Sequence, residues 1–137
     1  MKTMIVTIML LLSQEIKADD SIVKIIERKA VKYGIDPKLA VAIAMTESNL
    51  NPNAVGSLGE IGLFQLRPEF HDVKQGDIKH NVELAMRYLS YVKNRCLRRY
   101  DVAWFVCFNT GPNRKKLIER PQEFSYYKKV MIAYEGR

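Results

Sequence analysis

Glu47 is the residue of this 137-residue chain best placed to do chemistry. It falls in the last turn of an apolar segment that opens at Asp36-Pro37 and runs through Leu39, Val41, Ala42, Ile43, Ala44 and Met45. A carboxylate there meets the negative end of the helix dipole and sits among apolar neighbours, and both favour its protonated form. A carboxylic acid that keeps its proton near neutral pH can protonate a departing oxygen, a glycosidic one included. Taken alone, a glutamate at a helix end is as readily a solvated polar residue. Gly56, Gly59 and Gly62 follow it. Backbone without side chains can approach a ligand closely and offer amide donors to hydroxyl or acetamido groups, although spaced glycines also mark plain turns.

Other reactive types are less suggestive. Glu60, Glu69, Asp72 and Asp77 fall in loops whose geometry the spacing does not fix, so no second carboxylate stands at an obvious partner position. His71 and His80 have no carboxylate or serine at meaningful spacing and read as surface or capping residues. Cys96 and Cys107 have no histidine or acidic neighbour at metal-ligand spacing, which argues against zinc. They form either one bridge in an oxidising compartment or two small buried thiols. Trp104 reads as core.

The elements that must position these residues are mostly helical. Ile22, Ile25, Ile26, Ala30 and Tyr33 recur at helical spacing, with Asp20 or Ser21 as N-cap and Gly34 as the stop. Asp36 and Pro37 open the second, nearly all-apolar helix, which should be central. The Gly-rich stretch after Asn51-Pro52-Asn53 breaks any period and predicts a tight loop with at most a small hairpin. Residues 66 to 79 connect elements, and Asn81 caps a long helix carrying Val82, Ala85, Met86, Leu89, Val92 and Cys96 on one face. A short apolar segment, Asp101 to Phe108, stops at Asn109-Thr110-Gly111-Pro112, and a last helix holds Phe124, Tyr127, Val130, Met131 and Tyr134. The predicted fold class is mainly α, in one compact domain.

Residues 1–18 place a lysine before an apolar run too short to span a bilayer, the pattern of a secretory signal peptide, with a buried first helix or an uncleaved membrane anchor as the alternative; its removal would leave residues 19–137 as the working domain. Export would put that domain in the periplasm or cell envelope. Its formal charge would be +6, from 20 Lys and Arg against 14 Asp and Glu. That charge suits anionic polymers. Basic residues are spread along several amphipathic segments in short clusters such as Arg98-Arg99 and Arg114-Lys115-Lys116, which argues against nucleic acid as the partner.

Two ordered blocks, Ala44-Met45-Thr46-Glu47-Ser48-Asn49-Leu50-Asn51-Pro52-Asn53-Ala54 and Gly59-Glu60-Ile61-Gly62-Leu63-Phe64-Gln65-Leu66, resemble the paired signature of lytic transglycosylases of the goose-type lysozyme superfamily. Cys107-Phe108-Asn109-Thr110-Gly111 resembles that family's Tyr-Asn-x-Gly turn, and Tyr126 to Val130 its closing Tyr-Val-x-x-Val segment. The likeness runs over residues 21 to 134 in one order. It implies an α+β lysozyme-like domain that cleaves the β-1,4 bond between N-acetylmuramic acid and N-acetylglucosamine in peptidoglycan. Glu47 would be acid and then base, supported by Ser48. Gly62, Leu63 and Gln65 would line the sugar cleft, with Asn109 and Gly111 on the opposite wall and Tyr126 reaching toward the acid or stacking on a sugar. One carboxylate suffices in that family because the muramoyl N-acetyl group assists and its own 6-hydroxyl attacks, leaving 1,6-anhydromuramoyl ends without metal or organic cofactor. Phe108 departs from the pattern, since a tyrosine hydroxyl is missing there: either the rate suffers or Tyr126 or Tyr127 substitutes, unless those two simply pack in the core or at the cleft rim.

Two other readings keep the fold: a lysozyme-like hydrolase that uses water, and a non-catalytic glycan-binding assembly protein, which Phe108 motivates. The domain's size is in keeping with a monomer that opens local gaps in the wall for an envelope-spanning secretion or conjugation apparatus, and a phage role fits as well.

Overall fold

The computed structural model describes residues 20–112 and 120–137. Residues 1–18, read above as a signal peptide, and the Arg114-Lys115-Lys116 cluster lie outside them. Five α-helices are present among the described residues: α1 over 20–32, α2 at Pro37–Ser48, α3 at Ile78–Tyr100, α4 at Val106–Thr110 and α5 at Ser125–Glu135. The mainly-α expectation holds. The Gly-rich loop contributes only two isolated antiparallel bridges, Val55 with Ile61 and Ile61 with Leu66.

Helix α1 ends as its sequence dictates. Gly34 adopts φ +66°, and the Gly34 and Ile35 amides bond back to the Val31 and Ala30 carbonyls at 3.2 and 2.9 Å. This is a Schellman stop, in which a glycine takes the left-handed position without steric cost. The predicted start is different, because Asp20 and Ser21 are themselves helical and neither is the N-cap. Asp36 caps α2 by accepting from the Lys38 amide at 2.9 Å, with Pro37 in the first turn. Leu39 through Ala44 are all buried, so α2 is the central helix and packs along α5.

The third helix needs a correction. It begins at Ile78, with Asp77 as N-cap accepting from the His80 amide at 3.0 Å. Asn81 lies within the first turn, 4% exposed, and its side-chain amide clamps residue 74: it accepts from the Lys74 amide at 2.9 Å and donates to the Lys74 carbonyl at 2.6 Å. Burial of an amide demands such pairing, and the partner here is a loop rather than the helix end. From α3 the stripe Val82, Ala85, Met86, Leu89, Val92 and Cys96 enters one core with Ile26, Ile43, Phe105 and Val130. A disulfide joins Cys96 on α3 to Cys107 on α4. Trp104 is buried, as expected. No helix among the described residues is long and apolar enough to cross a membrane.

Candidate active site

Glu47, at the end of α2, opens into a cleft of about 470 Å³ between the Gly-rich loop and helices α3 and α4. The loop wall is Gly56, Ser57, Glu60 and the run from Gln65 to Arg67 with Phe70 and His71; the helical wall is Tyr88 and Phe108 to Gly111. A second hollow of about 620 Å³ shares Phe70, His71, Tyr88, Thr110 and Gly111 and continues to Tyr91 and Pro112. The two adjoin along Phe70, His71 and Tyr88 as one aromatic-edged trough, on whose rings the sugars of a polymer can stack.

The electrostatics of Glu47 favour a held proton. Burial pushes its pKa up to about 7, against a hydrogen bond from Tyr126 that pulls it down, while the negative charge of Glu60 adds a further upward push. Tyr126, 7% exposed on α5, donates its hydroxyl to Glu47 Oε1 at 2.9 Å. Its own pKa is driven up by burial and by Glu47, so it stays a donor throughout the neutral range.

The loop is shaped by backbone pairing. Gly62, at φ +80°, donates its amide to the Ala54 carbonyl at 2.8 Å, and Gln65 donates its side-chain amide to the Gly62 and Ala54 carbonyls at 2.9 and 3.2 Å. Leu63, Phe64 and Leu66 anchor this loop in the core. Ser48 ties it to α2, its hydroxyl 2.9 Å from the Leu63 carbonyl and 3.2 Å from that of Ala44.

The sequence profile of the Transglycosylase SLT domain matches residues 24–130. The chain belongs to that family. Membrane-bound lytic murein transglycosylase E of Buchnera aphidicola subsp. Baizongia pistaciae is 32% identical over 128 residues, which cover 80% of this chain and 59% of that protein. Membrane-bound lytic murein transglycosylase C of Photorhabdus laumondii subsp. laumondii is 32% identical over 129 residues, 77% of this chain and 36% of that protein. Endo-type membrane-bound lytic murein transglycosylase A of Klebsiella pneumoniae is 43% identical over 83 residues, 50% of this chain and 41% of that protein. The chain thus spans between 36% and 59% of the length of these relatives.

Within this SLT domain, Glu47, Gln65, Phe108, Asn109 and Gly111 come together at the cleft, and Tyr126 stands behind Glu47. Four residues go elsewhere. The Leu63 side chain, 1% exposed, points into the core rather than the cleft, because the turn at Gly62 directs it inward. Gly62 lies against Asn81 and Pro52, and Ser48 holds Leu63 rather than Glu47. Tyr127 stacks on Phe105 at 5.4 Å and is not a replacement for the hydroxyl missing at Phe108.

Several cleft residues escaped the sequence reading. His71 is not a plain surface residue: its ring meets Tyr88 edge-on at 4.8 Å inside the cleft, and burial lowers its pKa, which keeps it neutral. His80 lies outside the cleft lining, its ring 2.6 Å from the Asp72 carbonyl. Tyr88 packs 5.5 Å from Phe108. It stands about two turns after Asn81 on the same helical face, a register that could have flagged it. Arg67 is held by both oxygens of Glu69 at 2.9 and 3.0 Å and lies over Phe70 at 5.3 Å. Nothing in the spacing of residues 67 to 71 announces this cluster, since loop dihedrals set it.

Proposed function

We propose that this SLT domain cleaves the β-1,4 bond between N-acetylmuramic acid and N-acetylglucosamine in peptidoglycan and leaves 1,6-anhydromuramoyl ends. The observation that carries the reading is Glu47, its pKa raised to about 7 by burial, opening into a trough while a buried tyrosine fixes its carboxylate. Protonated Glu47 gives its proton to the leaving glycosidic oxygen as the C1–O bond breaks. The same carboxylate then takes the proton of the muramoyl 6-hydroxyl as that oxygen bonds to C1, which returns the acid form. The relatives' names as lytic murein transglycosylases support the substrate class. The Cys96–Cys107 bridge supports a working place in an oxidising envelope compartment.

Mass spectrometry of purified peptidoglycan digested by residues 19–137, with Glu47→Gln as control, tests the proposal. Anhydromuramoyl ends made only by the unsubstituted chain are expected. Reducing ends would assign the attack to water, and glycan binding without products would make the domain a non-catalytic binder.

A further inference from the structure

We infer that Glu60 is a second working carboxylate of the cleft, whose negative charge stabilises the positive charge developing at the anomeric carbon while Glu47 gives up its proton. The inference rests on the proposed reaction and adds a residue to it.

Glu60 lines the same cleft as Glu47, and its carboxylate is held in place. Its Oε2 accepts from the Leu58 amide at 3.0 Å, and its carbonyl accepts from the Gly56 amide at 2.8 Å, closing the turn that carries it. Gly56 is the floor on which the carboxylate rests. A Cβ at that position would collide with the Glu60 carboxylate, its Cδ at 2.9 Å, and with Gln65 Oε1 at 2.7 Å. A side chain at position 56 would therefore displace the Glu60 carboxylate and the Gln65 amide from where they lie. The cleft's cation, Arg67, pairs with Glu69.

The groups around Glu47 are Tyr126 from α5, Tyr88 from α3, and Glu60, Arg67 and His71 from the loop. Of these, Glu60 is the one whose charge pushes the Glu47 pKa upward. One carboxyl group that holds a proton beside another that carries charge is the division of labour that glycosidic cleavage asks for. The bonds that change are those of the proposed reaction: C1–O breaks, the leaving oxygen takes the Glu47 proton, and the 6-hydroxyl oxygen bonds to C1. Glu60 gains and loses no proton.

The test is Glu60→Gln in residues 19–137, which keeps an acceptor for the Leu58 amide and removes the charge, with Glu60→Asp beside it. Turnover of purified peptidoglycan by Glu60→Gln should fall at least about 10-fold with the products unchanged. The Glu47 titration midpoint, read by carboxyl NMR without substrate, should fall below about 7. Glu60→Asp should keep that midpoint. Unchanged turnover by Glu60→Gln overturns the inference and leaves the reaction standing. An unmoved midpoint, or one that falls equally in both variants, assigns Glu60 to packing and also overturns it. A wild-type chain without anhydromuramoyl products but with a Glu60-dependent midpoint refutes the reaction and, with it, the catalytic role, while the charge coupling stands.

Discussion

The two walls of the cleft are built by different means. On the helical side, Glu47, Tyr88 and Phe108 are side chains set by the helical repeat and backed by the core, and the Cys96–Cys107 bridge fastens α4 to α3. On the loop side, residues 56 to 71 are placed by backbone pairing, by left-handed turns such as Gly62, and by three buried anchors, Leu63, Phe64 and Leu66. The helical wall owes its chemistry to burial, which raises the Glu47 pKa to about 7. The loop wall owes its chemistry to close approach, as at Gly56 and Glu60. A change in the first should alter proton affinity through burial, and a change in the second should alter placement and, at Glu60, the charge that Glu47 feels.

The largest effect should come from Glu47→Gln, which removes the carboxyl proton held at the end of α2. Product formation should drop at least about 1,000-fold, measured by release of soluble fragments from purified peptidoglycan. The same variant reads the burial. The unfolded carboxyl titrates near the ordinary value of 4.5 and the folded one at about 7, so between these pH values the folded chain retains a proton that the unfolded chain has lost. Stability should therefore decline as pH rises through that window, by on the order of 3 kcal/mol, and hold level above it. Urea unfolding across that pH range should show the slope in the wild type and a much smaller one in Glu47→Gln.

Removing the disulfide tests whether the helical wall depends on its clamp. Cys96→Ser with Cys107→Ser should cost about 2–3 kcal/mol in urea unfolding, through the freedom regained by the unfolded chain. A loss well under 1 kcal/mol would mean that α4 is held by its packing alone.

Tyr126→Phe sharpens the comparison. The hydroxyl bond favours the ionised carboxylate, so its removal should raise the Glu47 midpoint above about 7. Activity needs the protonated form, and its alkaline limb should move to higher pH. Maximal turnover should fall about 10-fold as the carboxylate loses its fixed orientation. A limb that moves to lower pH would contradict the arrangement.

Ser48→Ala should have the smallest effect, because it cuts the tie between the walls without touching the acid. Loss of the bond to the Leu63 carbonyl should cost about 1 kcal/mol by thermal melting. The Glu47 midpoint should stay where it is.

Much of the helical wall was legible in the chain. Asp36-Pro37 opens α2, Gly34 closes α1, and the apolar run from Leu39 to Ala44 is buried as its composition requires. Those signals are local, since a cap, a stop and a helical repeat act within a turn or two. Glu47 could be singled out for the same reason. The loop wall was legible only as a loop. Leu63 belongs to a block that reads as cleft-lining, yet the turn at Gly62 turns its side chain into the core. Asn81 reads as a cap, and the packing of the 66–77 connection makes it an interior clamp on Lys74 instead.

What the sequence by itself determined is the helices, the stop of α1 at Gly34, the start of α2 at Asp36-Pro37, the family and the place of Glu47 at the end of α2. Tertiary structure alone decided that Tyr126 meets Glu47 across a separation of 79 residues, that His71 and Tyr88 enter the cleft, and that Glu60 comes to rest on Gly56. Such meetings depend on left-handed turns and on the mutual packing of α2, α3 and α5, where distant segments compete for one buried space and no neighbouring residue specifies the outcome.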